Sequence, residues 1–397
     1  MNNKRLEEFD LIIGDGNYSS KYPKSEEFLI EGIPFLSASD FTDKTIDYNN
    51  SKKISPELHC QLRKGHVQKG DLLIVVRGNG VGKTGFIDDE IDECNINAQL
   101  AFIRSNDPNL DNEYLYYNMK CNYEKLRSLA TGSAQPQLVI GNLVKYSLTV
   151  PLIEKQIKIR TILSNIDKKI KINNEINNNL FELVLNSFND FLDRNKDAEI
   201  VKLEDCVEKI NTGADAIQRA PIVDYDTGIR CIRIGDMTNG RDYHNWGFTK
   251  MTNKDFENYK LIRNDIVITR TAVNGLTYMI TDEENTVCNN GNIRLRVNTK
   301  YNPLYVYLNT KTKDFRNYID RINSETSVRP NMKVDYFTSY EIKKIDLEKQ
   351  NEFCLRAESI MKKIQNNKVE NYNLEELRDT LLPKLMNGEI DLDNIEI

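Results

Sequence analysis

The chain has 397 residues, 29% charged and 39% hydrophobic, with a mean hydropathy of −0.56. With 14 Phe and 19 Tyr it is too aromatic for a disordered chain, and no apolar run reaches the roughly 18 residues of a membrane span. Seven scattered Cys without a C-x-x-C pair, three His, and a mildly acidic balance in both halves (25 Lys+Arg against 29 Asp+Glu, then 29 against 31) exclude a disulfide scaffold, a zinc ribbon and a simple basic coat for nucleic acid, and suit a reducing cytoplasm.

In chain order, Gly32-Ile33 to Asp40-Phe41-Thr42 opens a stretch of short β-branched runs, and His59 and His66 flank a polar turn where surface positions are expected. Leu72–Val76 and Leu100–Ile103 read as strands. Between them lies Gly78-Asn79-Gly80-Val81-Gly82-Lys83-Thr84-Gly85, which looks like a phosphate-cradling nucleotide loop. That loop needs four residues between its first Gly and the Gly-Lys-Ser/Thr, and Arg77 stands where the first Gly belongs. No helix pattern follows the Lys either, so a nucleotide-dependent enzyme is the weakest of the readings. Further on come Tyr114-Leu115-Tyr116 and the loop Thr131-Gly132-Ser133-Ala134-Gln135-Pro136-Gln137.

From residue 153 about 40 residues follow a helical pattern, with apolar residues at Ile159, Leu163, Ile166, Ile170, Leu180, Val184 and Phe191 in steps of three and four once Asn173 and Asn177 fill the gaps. The whole plan then recurs at an offset close to 194. Glu154-Lys155-Gln156 returns as Glu348-Lys349-Gln350, Lys168-Lys169-Ile170 as Lys362-Lys363-Ile364, and Asp71 to Arg77 as Asp265 to Arg270. Strand-like Ile266–Thr269 and Ile293–Val297 precede a helix expected over Tyr305–Arg316. The second long helix carries Phe353, Ala357, Ile360, Ile364, Asn367, Asn371, Leu374, Leu377, Leu381 and Leu385. The four Asn either sit in the seam, where an amide costs stability but fixes register, or lie on the surface while the seam slips onto Ile172 and Ile176. Each helix is about 55 Å long at about 1.5 Å per residue and must pair; the other repeat's helix is the obvious partner, and an antiparallel pair would hold the two globular units apart.

These spans predict an α+β protein with two similar mixed globular domains, residues 1–152 and 196–346, and two helical spacers, 153–195 and 347–397, forming an antiparallel coiled coil. No catalytic set stands out. Asn302-Pro303-Leu304-Tyr305 departs from the base-holding tetrapeptide of adenine-N6 methyltransferases by one residue and is expected to start a helix.

Four stretches together resemble the specificity subunits of type I restriction-modification systems, over essentially the whole chain. They are Lys69-Gly70-Asp71-Leu72-Leu73 with its Gly-rich loop; Leu129 to Gln137; Val150-Pro151-Leu152-Ile153-Glu154-Lys155-Gln156; and Leu377-Arg378-Asp379-Thr380-Leu381-Leu382-Pro383-Lys384-Leu385 to Gly388-Glu389-Ile390. The resemblance implies two target-recognition domains, each reading half of a bipartite site in double-stranded DNA, and a coiled coil acting as a ruler. It also implies a non-catalytic chain without cofactor or metal of its own. Two modification (methyltransferase) subunits would carry S-adenosylmethionine and methylate adenine N6, and restriction (translocase and nuclease) subunits with ATP and Mg²⁺ can join; no membrane is involved.

The side chains suited to base edges are Arg77, Asn79, Lys83, Thr84, Ser133, Gln135 and Gln137 in the first domain, and Arg270, Thr271, Asn274, Arg329, Asn331 and Lys333 in the second. The seam, which would also meet partner subunits, is Ile159, Leu163, Ile166, Ile170, Asn173, Asn177, Leu180, Ile360, Ile364, Asn367, Asn371 and Leu374. A coiled-coil scaffold that ignores DNA is the competing reading.

Overall fold

The computed structural model describes residues 2–18, 22–42, 46–78, 80–132, 136–281, 283–325 and 332–392. The chain forms two compact units: Met1–Lys169 with Leu374–Ile397, and Ile170–Asn373.

In the first unit a four-stranded antiparallel sheet runs in the order Leu11–Asp15, Leu100–Ser105, Leu72–Val75, Thr84–Phe86. Side-chain alternation explains why its central run is continuously apolar. Leu72 and Ile74, with Ala101 and Ile103, face a core shared with Ile159, Leu163, Leu382 and Leu385 of the long helices. Leu73 and Val75, with Leu100 and Phe102, face a second sheet through Leu36, Val67, Cys94 and Ile96. That second sheet runs Lys52–Ile54, Ile33–Leu36, Glu93–Ile96, His66–Gln68, with its middle pair parallel. Asn2–Arg5 and Ser147–Val150 pair to close the domain where the long helix begins.

The second unit repeats this plan. Val207–Thr212, Asn292–Val297, Ile266–Thr269 and Thr277–Met279 take the same strand order. Arg230–Ile232 and Thr286–Cys288 form the parallel pair, and Ile200–Lys202 closes on Glu341–Lys343. The expected helix over Tyr305–Arg316 is instead two, Pro303–Asn309 and Lys313–Glu325. The break falls at two threonines that satisfy the backbone themselves: Thr310 Oγ1 donates to Tyr307 O at 2.6 Å, and Phe315 N donates to Thr312 Oγ1 at 3.3 Å.

The duplication extends to buried polar contacts. Gln156 and Gln350, both fully buried in the first turns of the long helices, accept from the backbone N–H of Asp111 and Asn302 at 3.0 and 2.9 Å. Those two residues in turn cap the helices Asn112–Cys121 and Pro303–Asn309. Tyr305 is fully buried and donates to Lys343 O at 2.6 Å, so Asn302-Pro303-Leu304-Tyr305 is a helix start and not a base clamp.

The long helices span Ile153–Arg194 and Leu347–Met386. Within the second unit Asn173 donates to Asn371 Oδ1 and Asn367 donates to Asn177 Oδ1, each at 2.8 Å. Rising along one helix is therefore descending the other: the pair is an antiparallel coiled coil. All four Asn are buried, whereas Ile172 and Ile176 are 50% and 40% exposed, which decides the seam for the Asn. Ile159, Leu163, Ile166, Ile170 and Ile364 are buried too, and Leu180, Ile360 and Leu374 are half-buried. Two periodic expectations shift. Phe188 replaces Phe191 as the fully buried aromatic, and Leu377 is 48% exposed, because a 3.6-residue helix drifts out of phase with a seam counted in threes and fours.

Lys311 links this packing to pH. Its Nζ donates to Thr277 O at 2.6 Å, and burial, with the charge of Lys368, pulls its pKa down to about 8. Between about pH 8 and 10.5 the unfolded chain holds the proton that the folded chain has lost, so this group makes stability rise with pH across that window. Relative to Lys311→Met, the wild type is expected to gain up to about 3 kcal/mol between pH 7 and 10.5, read from urea titrations. Parallel curves for the two proteins would contradict a buried titrating lysine.

Candidate nucleic-acid interface

In the first domain, strand Leu72–Val75 leaves the sheet, turns, and returns as Thr84–Phe86. Val75 N donates to Lys83 O at 2.8 Å and Gly82 N to Val75 O at 2.9 Å, with Gly78 and Gly82 both at φ near +93°. Val81 plugs into the core, fixing the loop from below. A strand follows Lys83, not a helix, so a helix N-terminus that could hold a nucleotide phosphate is missing here. Beside this turn, Thr131 and Gln137 exchange two backbone hydrogen bonds of 2.9 Å and close the second loop. The loops are stitched together, Gly78 N donating to Pro136 O at 3.3 Å and Leu138 N to Val76 O at 2.9 Å. Arg77 is exposed, and in the amide orientation that satisfies both groups its Nε and Nη2 donate to the Gln137 side-chain oxygen at 3.1 and 3.2 Å. Lys83 and Thr84 are half-buried at the turn's returning end. Asn79, Ser133 and Gln135 lie outside the described residues.

The second domain builds the same place differently. The turn from Thr269 to Leu276 is held by Thr269 N donating to Leu276 O and Gly275 N to Thr269 O, both at 2.9 Å. Ala272, 194 residues after Gly78, keeps a positive φ of +61° without glycine's freedom. Arg270 is half-buried, its Nε donating to Met332 O at 3.1 Å while Met332 N donates to Arg270 O at 2.8 Å. Thr271 is half-buried and Lys333 exposed, and Arg329 and Asn331 lie outside the described residues. Asn274 corrects the expectation of an open tip residue. It is 3% exposed and donates to Asn323 Oδ1 at 2.8 Å, because Gly275 brings the turn down onto Ile319 of the helix Lys313–Glu325.

Two exposed arginines beside these loops escaped sequence reasoning. Arg127 belongs to the helix Tyr123–Ser128, where a side chain at Gly82 would press on Tyr123, and Arg321 lies on the second domain's helix beneath its loop. They are 194 residues apart, so the repeat offset could have found them. Each domain thus gathers, at one end of its first sheet, exposed donors with planar or branched heads. That arrangement suits acceptor-rich surfaces such as phosphates and guanine edges. Among the described residues no helix is long and apolar enough to cross a membrane.

The model of the type I restriction modification DNA specificity domain matches residues 7–182. The specificity subunit of the type I restriction enzyme HindI from Haemophilus influenzae is 22% identical over 421 aligned positions, covering 84% of this chain and 91% of that protein. The MjaIX specificity subunit from Methanocaldococcus jannaschii is 25% identical, covering 99% and 94%. In fold, the S subunit of a type I restriction-modification system from M. genitalium is similar with a TM-score of 0.54 at 17% identity, over 97% of this chain and 95% of that one.

Proposed function

Because this chain belongs to the specificity subunits of type I restriction-modification systems, we propose that each of its globular domains reads one half of a bipartite site in double-stranded DNA. Partner modification subunits would then methylate adenine N6 within the site, using S-adenosylmethionine, and restriction subunits using ATP and Mg²⁺ would join them. This chain contributes recognition and spacing and no chemistry.

The observation that carries the reading is the repetition of one loop assembly, turn plus partner loop, at the same sheet end of both domains with different side chains. A shared frame with unlike donors is what two readers of unlike sequences need. In the first domain the Arg77–Gln137 pair would keep the remaining guanidinium and amide hydrogens aimed outward, where guanine O6/N7 or a phosphate can accept them. The mildly acidic charge of the chain supports dependence on partner subunits, which would supply much of the cationic surface along the duplex.

Replacing Gln135 and Gln137 together by alanine should relax one half-site only, each lost base contact weakening discrimination by about 1–3 kcal/mol. Competition binding of the complex reconstituted with its modification subunits, on oligonucleotides mutated in one half at a time, measures this. Equal loss at both halves, or none, would remove the loop from recognition, and wild-type complex indifferent to DNA sequence would favour a scaffold.

A further inference from the structure

Outside the recognition loops, one polar cluster has a proton inventory that does not balance. His59, expected on the surface, is 7% exposed on the short helix Pro56–Gln61, and its Nδ1 faces Asn95 Oδ1. Asn95 Nδ2 donates to Gly65 O at 3.3 Å, which fixes the amide and leaves Oδ1 as acceptor, so His59 Nδ1 carries hydrogen. His66, on the strand His66–Gln68, places Nε2 2.6 Å from Leu62 O, a carbonyl that can only accept, so this nitrogen carries hydrogen as well. The remaining nitrogens, His59 Nε2 and His66 Nδ1, face each other at 3.2 Å with lone pairs on both. Glu93 Oε2 stands 3.4 Å from His59 Nε2 and is a further acceptor. Acceptors converge there, and a cation between them would relieve the conflict.

The separations match those between ligand atoms around a tetrahedral ion with bonds of about 2.0–2.1 Å, whose edges are about 3.3–3.4 Å. Both histidines also direct their outer N–H to a carbonyl oxygen, the support that ligating imidazoles need to hold tautomer and orientation. Among the described residues no group of three His, Cys, Asp or Glu is placed to hold a metal ion; water would fill the other positions. We propose that His59 Nε2 and His66 Nδ1 form a two-histidine clamp for a borderline transition-metal ion, Zn²⁺ foremost, that fastens helix Pro56–Gln61 to the edge of the second sheet. Glu93, whose side chain is 58% exposed, marks the open side and offsets the ion's charge.

The full chain, stripped with EDTA and titrated with ZnCl₂ by calorimetry, should bind one ion through this site. His66→Gln and His59→Gln should each weaken binding at least tenfold, while Cys60→Ser, which removes the neighbouring exposed thiol, should leave it unchanged. Circular dichroism checks that the variants fold, and Co²⁺ in place of Zn²⁺ gives a spectroscopic signature independent of any activity. Binding that survives both histidine substitutions, or a wild type that takes up no ion, overturns the clamp and assigns the shared position to a proton.

Discussion

Replacing Arg104 by alanine is expected to destabilise the first unit by about 3 kcal/mol or more. The Asp71 side chain is 1% exposed and accepts from Arg104 Nε and Nη2 at 2.7 Å each, and from Gln68 N at 2.9 Å. Removing the guanidinium leaves a buried carboxylate short of two charge-assisted bonds, a loss of about 3–5 kcal/mol for such pairs, reduced here because Arg104 is 26% exposed. Asp265 and Arg296 repeat the arrangement in the second unit, again with two bonds of 2.7 Å. Arg296→Ala should therefore cost a similar amount there. Arg356→Ala breaks only an exposed pair with Glu352 and should cost no more than about 0.5 kcal/mol. Urea melts of the three variants rank these effects. A loss below about 1 kcal/mol for Arg104→Ala would mean that the buried pair is not what anchors the central strands.

Inserting seven residues into both long helices, after Asn177 in the first and at the matching height before Asn367 in the second, should lengthen the recognised spacer and leave both half-sites unchanged. Two turns of helix add about 10.5 Å, close to three base-pair steps of about 3.4 Å. Seven residues return the seam to the same face. The insertion must be matched, because Asn173 pairs with Asn371 and Asn177 with Asn367. Lengthening one helix alone would bury amides without partners and is expected to cost stability and recognition together. The readout is the spacer in the methylated motif. A spacer that keeps its length after a matched insertion would deny the helices their role as ruler.

The repeat, the strands and the long helices were legible because their signals are local: continuous apolar runs for strands buried on both faces, steps of three and four for the helices, and a near-constant offset between copies. Tertiary pairing decided the rest. Nothing in the spacing alone separates Asn173 from Ile172 as the seam residue, and only the Asn–Asn bonds across the pair settle it. Gln156 and Gln350 could be matched as repeats, but their task of holding a helix cap some 45 residues upstream in sequence cannot be read from a tripeptide. In the interface, residue type pointed to Asn274 as a base reader, yet Gly275 packing on Ile319 turns the loop inward and ties that amide to Asn323. His59 misled for the opposite reason: a polar residue in a polar stretch is buried because Asn95 and His66 lie across from it on neighbouring strands.

The most direct test of the central claim is a genome-wide map of methylated adenines in a host lacking such systems, with the modification subunit expressed alone and then together with this chain. The account predicts that methylation appears only with this chain present, at one motif made of two short defined halves around a gap of fixed length. Methylation at a single contiguous motif, or a map unchanged by this chain, would contradict it.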